Sequence, residues 1–205
     1  MKKLPGFYND LSLTLSKIRS LLINGVKDRM SDFHYTVLST VNEKNKPDAR
    51  TVILRDFNVD SMTLRIHSDL RAKKNSHIKK NKNVILTFYD NKEKIQLRLR
   101  GEALIKESYE KAWKGLSNSS KRCYLVEQTP GIESIKPTSG LPEKYIKFSP
   151  NDQESKNGLQ NFSLVLIIIN QIEWLYLASQ GHRRAIFSLD RKKKDILVNS
   201  QWLVP

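Results

Sequence analysis

Apolar residues along this chain keep two different rhythms. Between Phe7 and Asn24 they recur at Leu11, Leu15, Ile18 and Leu22, the spacing of one helical face. Asn9 or Asp10 stands where a helix N-cap belongs, and Gly25 follows as a stop signal. The spacing therefore predicts an N-terminal amphipathic helix over 7–24. Beyond Gly25 the period falls to two. Tyr35 to Val41, rich in Thr, Val and Tyr, reads as a strand, and Asn42 to Asp48 as a turn. Ala49 to Arg55 is a second strand and Asp56 to Asp60 a second turn. Ser61 to Ser68 sets Met62, Leu64 and Ile66 against Thr63, Arg65 and His67, the alternation of a half-buried strand.

A short helix is expected over Ala72 to Asn81. Strands follow over Val84 to Tyr89 and Ile95 to Ile105, joined by a tight turn at Asp90 to Lys92. Glu107 to Leu116 resumes a helical pattern. From about 128 to 160 the chain carries Pro130, Pro137, Pro142 and Pro150 with Gly131, Gly140 and Gly158, which marks an irregular excursion. Phe162 to Leu177 is strongly strand-like, with a bend near Asn170, and Arg183 to Leu189 and Ile196 to Leu203 complete the set. About eight short strands with few helices give a mainly β fold, an antiparallel barrel with flanking helices. The strands after the excursion must pair with the earlier sheet, so residues 1–205 are expected to form a single domain.

Composition adds exclusions. The hydrophobic share is 39% and the charged share 28%, ordinary values for a soluble globular chain. The longest apolar run, Leu164 to Ile169, is far short of the roughly 18 residues of a membrane span. Lys2 and Lys3 open the chain, but Pro5, Asn9 and Asp10 interrupt any signal-peptide core. No membrane association and a cytoplasmic location are the resulting expectations. Cys123 is the single cysteine, so no intrachain disulfide forms, and packing is its expected role. No glycine-rich phosphate loop, dinucleotide fingerprint or Cys-x-x-Cys pair occurs, and the four histidines are scattered, so no metal site is expected. The net charge of +15 suits nucleic acid, an anionic surface or an anionic small molecule, or reflects a lysine-rich bias. Many of the lysines fall in solvated turns such as 42–46 and 191–194. The basic residues are dispersed and lack interleaved aromatics on one sheet face, which argues against a nucleic-acid partner.

Chemistry concentrates between Ala49 and Lys74. Arg50 and Val52 share one strand face and Arg55 lies on the other, so one strand offers cations to both sides of a sheet. Ser68 or Asp69 is placed to cap the helix that starts near Ala72. Lys73 and Lys74 sit in its first turn, where the helix dipole disfavours cations unless an anion compensates. A bound phosphate is one reading; a solvated basic helix is the other. Gln96 offers a donor and an acceptor to a heterocycle edge, or is an ordinary polar outer residue. Trp174 and Tyr176 share a face, for core packing or for stacking on a planar ring, with Arg183 and Arg184 following.

These residues together resemble the pyridoxamine 5′-phosphate oxidase family. The resemblance lies in Ala49-Arg50-Thr51-Val52-Ile53-Leu54-Arg55, His67-Ser68 with Lys73-Lys74, the Phe88-Tyr89 strand end, and Gln96 ahead of Arg100-Gly101. The tail from Ile172 to Arg184, closing on Trp202 to Pro205, is also similar. The resemblance implies a split β-barrel that dimerises, with FMN at the subunit interface. It implies that Arg50, Lys73 and Lys74 hold the FMN phosphate. The backbone of 52–54, with Thr51, Arg55, His67, Ser68, Gln96 and Trp174, completes the cofactor contacts. Arg55 stands where the family commonly has a substrate-binding Lys, and Arg183 and Arg184 are further substrate anchors for a small phosphorylated ligand. No catalytic side chain is assigned. The middle region around Trp113 to Arg122 departs from the family's substrate grip, and His182-Arg183-Arg184-Ala185-Ile186 departs from its terminal motif. The implied activity is that of an FMN-dependent oxidoreductase, with hydride passing from substrate to FMN and then to oxygen. The alternative is a flavin- or tetrapyrrole-binding protein of the same fold without turnover.

Overall fold

The computed structural model describes residues 4–191 and 196–205. Lys2, Lys3 and the lysines of the 191–194 turn lie outside the described residues. Among the described residues nine strands form one antiparallel sheet: β1 Tyr35–Val41, β2 Pro47–Ile53, β3 Asp56–Asn58, β4 Thr63–Asp69, β5 Asn83–Asp90, β6 Ile95–Glu107, β7 Phe162–Tyr176, β8 Arg183–Asp190 and β9 Leu197–Leu203. The spatial order is β2-β1-β5-β6-β7-β4-β3, with β8 on β7 and β9 on β8. The ends of that path, β2 and β3, are consecutive in the chain and joined through Leu54 and Arg55. Leu54 N donates to His34 O at 2.9 Å and Arg55 N to Arg65 O at 2.8 Å, so the sheet closes on itself. The result is a split barrel.

Alternation fills the barrel. Leu38, Leu64, Ile66, Leu86, Phe88, Leu97, Leu99, Ile167 and Trp174 point inward and are buried. Each such side chain contributes roughly 1.5–3 kcal/mol by leaving water. The N-terminal helix α1, Leu11–Lys27, packs Ile18, Leu21 and Leu22 onto this core, with Asp10 accepting from Leu13 N at 2.9 Å as its N-cap. Gly25 does not end the helix as its sequence suggests. A Cβ there would lie 2.3 Å from Phe33 O, so glycine is present because backbone crosses at that point. A second difference is β3, three residues that read as a turn but pair with β4 to complete the closure.

The long strand β7 is the branch point of the sheet. Its first half, Phe162 to Ile168, pairs with β4, and its second half, Gln171 to Tyr176, pairs with β8. Along its other edge β6 pairs throughout, with a shift in register where Arg100 meets Gln171 and Gly101 meets Ile169. Asn170 is the extra residue, a β-bulge at the position where the sequence signals a bend.

The middle excursion is built of short pieces: α3 Glu110–Lys114, α4 Asn118–Arg122, α5 Lys144–Lys147 and α6 Asp152–Ser155. Of the helix expected over 107–116, the five residues of α3 are helical, and only Glu107 is taken by β6. Trp113 and Tyr124 pack with Phe162 and Leu164 into a second small core outside the barrel. Among the described residues no helix is long and apolar enough to cross a membrane, and no group of three His, Cys, Asp or Glu is placed to hold a metal ion.

Candidate functional site

Alternation along β2 puts Asp48, Arg50 and Val52 on the side that faces Leu38 and Thr40 of β1. The Arg50 guanidinium is held there from three directions. Nη1 donates to Leu38 O at 3.1 Å and to Thr40 Oγ1 at 2.9 Å, while Nη2 donates to the Asp48 carboxylate. Thr40 Oγ1 also lies 3.1 Å from His77 Nδ1, and that nitrogen lies 3.5 Å from Asp48 Oδ2. His77 comes from α2, Lys73–Lys80, which packs against this rim of the barrel.

The turn from β4 into α2 is internally tied. Asp69 accepts from Arg71 at N, Nε and Nη2, at 2.9, 3.0 and 2.8 Å. Neither Ser68 nor Asp69 caps α2. The N-cap is Ala72, whose side chain offers no acceptor, so the first N–H groups of the helix are left without a capping side chain. Ser68 is buried and its hydroxyl is used within the turn, donating to Asp69 O at 3.1 Å and accepting from Asn75 Nδ2 at 3.2 Å. Lys73 is exposed and Lys74 half-buried. Burial lowers the Lys74 pKa, the Arg50 charge lowers it further, and Asp69 opposes both. Arg50 and Lys74 are therefore electrostatic neighbours at the N-terminus of an uncapped helix.

Arg55 lies on the other side. Its charge reaches His67, whose ring packs edge-on against Phe162 at 5.1 Å. Burial first, then Arg55 and Arg65, push the His67 pKa down to about 4, and its Nε2 is buried with no hydrogen-bond partner among the described residues. Cys123 and Tyr124 border the same space, their pKa values raised mainly by burial and pulled down by Arg55. Arg71 fastens the excursion to this wall, donating to Val126 O at 2.9 Å and Glu127 O at 3.3 Å.

The outer face of the sheet carries the remaining candidates. Gln96 lies between Tyr89 and Leu175 in register. It is three strand positions from β2 along the order β2-β1-β5-β6, roughly 14 Å at ~4.8 Å per strand. Thr51 and Ile53 share that face, and Tyr35, Val37 and Tyr89 expose 51%, 40% and 43% of their surface on it. A cleft of about 390 Å³ with mainly apolar walls opens among Val41, Pro47, Ile85, Arg100 and Asn170. Two residues further along the same face, where Arg98 pairs with β7, Glu173 gathers Arg98, Arg100 and Arg184. Burial raises the Glu173 pKa, but the Arg184 hydrogen bond and the three guanidinium charges outweigh it, and the net shift is downward.

The structure thus brings Arg50, Lys73 and Lys74 to one rim, Arg55 and His67 to one wall, and Thr51, Ile53 and Gln96 to one face. Val52 and Leu54 turn their side chains into the core. It separates Arg183, which stacks on Tyr8 at 3.9 Å and donates to Asn9 Oδ1 at 2.9 Å, from Arg184 on Glu173. Trp174 is a core residue: its ring is fully buried and meets Phe7 edge-on at 5.4 Å, so it presents no free face to a planar ring. Asp48, Thr40, His77, Arg71 and Glu173 were not singled out by the sequence. Only Asp48 carried a signal, two residues from Arg50 on the same strand face.

Residues 16–107 match the family described as "Pyridoxamine 5′-phosphate oxidase, FMN-binding domain". Among solved structures, the chain is similar to a pyridoxamine 5′-phosphate oxidase-related, FMN binding protein from Nostoc punctiforme, at 21% identity over 99% of this chain and 100% of that one, with a TM-score of 0.68. It is also similar to PhzG from Burkholderia lata, solved with tetrahydrophenazine-1-carboxylic acid, at 17% identity over 100% of this chain and 99% of that one, with a TM-score of 0.70. These likenesses show the fold. No curated protein matches the chain.

Proposed function

We propose, from the premise that residues 16–107 belong to the pyridoxamine 5′-phosphate oxidase FMN-binding family, that this chain is an FMN-dependent oxidoreductase acting as a cytoplasmic, single-domain homodimer. The observation that carries the reading is the juxtaposition of Arg50 and Lys74 beside the uncapped start of α2. Lys74, partly desolvated beside Arg50, has no ion-pair partner among the described residues, and Arg50 has only the part-exposed Asp48, so the group keeps a net positive charge that an anion relieves. A phosphate monoester supplies that anion, and the free helix N–H groups supply further donors to its oxygens. The donor set fits the tail of FMN.

In this reading Arg50, Lys73 and Lys74 hold the phosphate, and the 51–54 stretch supports the ring system. Gln96 is too far from β2 within one copy to meet a ring lying on that strand. The exposed Tyr35, Val37 and Tyr89 mark the face on which a second copy would bring its own Gln96 to the first copy's flavin. Arg55 anchors a small anionic substrate, with His67 as a neutral neighbour, and Arg184 is a further anchor from the outer face. Trp174 supports the sheet from within. Held there, FMN would supply the hydride acceptor for a reduced substrate and the route of its electrons to oxygen. The protein orients both partners and excludes water; no side chain is required as a strong base.

The test is direct. Purified protein mixed with FMN should gain a bound-flavin absorbance spectrum and elute as a dimer in light scattering. It should consume oxygen with pyridoxamine 5′-phosphate, pyridoxine 5′-phosphate or a related amine. A protein that stays colourless with excess FMN ends the reading. Bound FMN without oxygen consumption on any phosphorylated amine or alcohol favours the non-catalytic alternative.

A further inference from the structure

The Arg50 guanidinium already has an anion. Among the described residues Asp48 is the only carboxylate in ion-pair contact with it, and the Asp48 side chain is 42% exposed against 22% for Arg50. Asp69, whose charge reaches Lys74, is committed to Arg71 through three hydrogen bonds. Arg50 does not depend on Asp48 for its pose, because Leu38 O and Thr40 Oγ1 hold Nη1 independently. Asp48 in turn has a second partner close by, His77 Nδ1 at 3.5 Å.

We propose that Asp48 is a built-in competitor for the phosphate cradle, a specificity-determining carboxylate that occupies Arg50 until an incoming phosphate displaces it. This inference rests on the phosphate-cradle reading of Arg50 and Lys74. Three charges decide the matter. With Asp48 on Arg50, the Arg50–Lys74–Asp48 group carries one net positive charge; without the carboxylate it carries two. A phosphate dianion arriving at Arg50 meets attraction from both cations and repulsion from Asp48, which turns towards His77 and Thr40. The consequence is a cradle that discriminates by charge and binds its ligand exchangeably. A doubly charged phosphate monoester overcomes the competitor, and a singly charged carboxylate does so less well.

The experiment compares wild type with Asp48→Asn, which keeps the side-chain shape and removes the charge. The first probe is inorganic phosphate against chloride at equal ionic strength, read as the shift of the thermal midpoint with concentration. Removing one like charge several ångströms from the anion predicts an apparent phosphate affinity about tenfold higher in Asp48→Asn. The ligand-free midpoint reports whether the variant is folded, and Asp48→Ser serves as a second uncharged form. Affinity that is unchanged or lower in both variants overturns the proposal, since Asp48 would then position Arg50. So does the absence of any phosphate response in all three proteins. The second probe is FMN beside riboflavin: the preference for FMN should rise about tenfold, with riboflavin binding unmoved. A tighter phosphate response without flavin binding by any form would sustain the competitor and remove the FMN reading, so the two fail separately.

Discussion

Arg184 Nη2 donates to Glu173 Oε1 at 2.7 Å, linking diagonal neighbours on β7 and β8. Arg98, directly opposite Glu173 on β6, reaches the same carboxylate at 3.2 Å, and Arg100 reaches it at 3.4 Å. The carboxylate is only 7% exposed. Glu173→Ala leaves three guanidinium groups crowded on one patch without their anion. The expected outcome is a loss of about 2–4 kcal/mol in denaturant unfolding, the range for breaking a buried charged network from one side. Glu173→Gln keeps the volume and should recover part of that loss.

Lys74 faces Arg50 and Lys73 faces solvent, so their removal should not be equivalent. Charge-assisted bonds to phosphate contribute roughly 1.5–3 kcal/mol, which predicts a fall of tenfold or more in FMN affinity for Lys74→Ala. Lys73→Ala should weaken FMN by a smaller factor. Flavin fluorescence quenching measures both, and neither variant should lower the melting temperature of the ligand-free protein.

His67 gives the protein an acid limit. Its pKa of about 4 lies below the ordinary 6.5, because burial and the charges of Arg55 and Arg65 oppose protonation. Between these values the unfolded chain binds a proton that the folded chain refuses. The stability contribution is complete above about 6.5 and is lost as the pH falls from there towards 4. With allowance for partial exposure, the loss is about 1–2 kcal/mol. His67→Gln should flatten this part of the profile in urea titrations at stepped pH.

Gly101 stands opposite the bulge, and a Cβ there would lie 2.0 Å from Ile168 O. The obstacle is backbone, so it cannot rotate aside. Gly101→Ala should destabilise by about 2–4 kcal/mol, with a clear fall in melting temperature. Gly115→Ala is the control. Its Cβ would meet only Ala112 O at 3.5 Å, an ordinary contact, and no change is expected.

Much of this was legible in the chain. Alternation alone placed Arg50 with Val52 and set Arg55 on the opposite side, because strand geometry fixes parity over five residues. The bend near Asn170 was visible as a polar residue inside an apolar strand. Three things were hidden, each for a physical reason. Gly25 reads as a helix stop because local sequence does not reveal that Phe33 will cross it. β3 is too short to show a period. The Glu173 cluster unites residues up to 75 positions apart, Arg98 with Glu173, which nothing short of the pairing register could align. Trp174 shows the same limit: the sequence offered packing or stacking, and only the fold chose between them.

The bulge at Asn170 governs more than local curvature. Every residue of β7 beyond it inherits its facing from that one inserted position, because strand parity reverses with each residue. Shortening the strand there by one residue would bring the indole of Trp174 outward to the open face. It would also drive Glu173 into the barrel, dissolving the arginine patch in the same stroke. The half of β7 that pairs with β4 would be untouched. A single-codon length change at this branch would therefore exchange one outward surface for another while leaving the rim of Arg50 and Lys74 as it is.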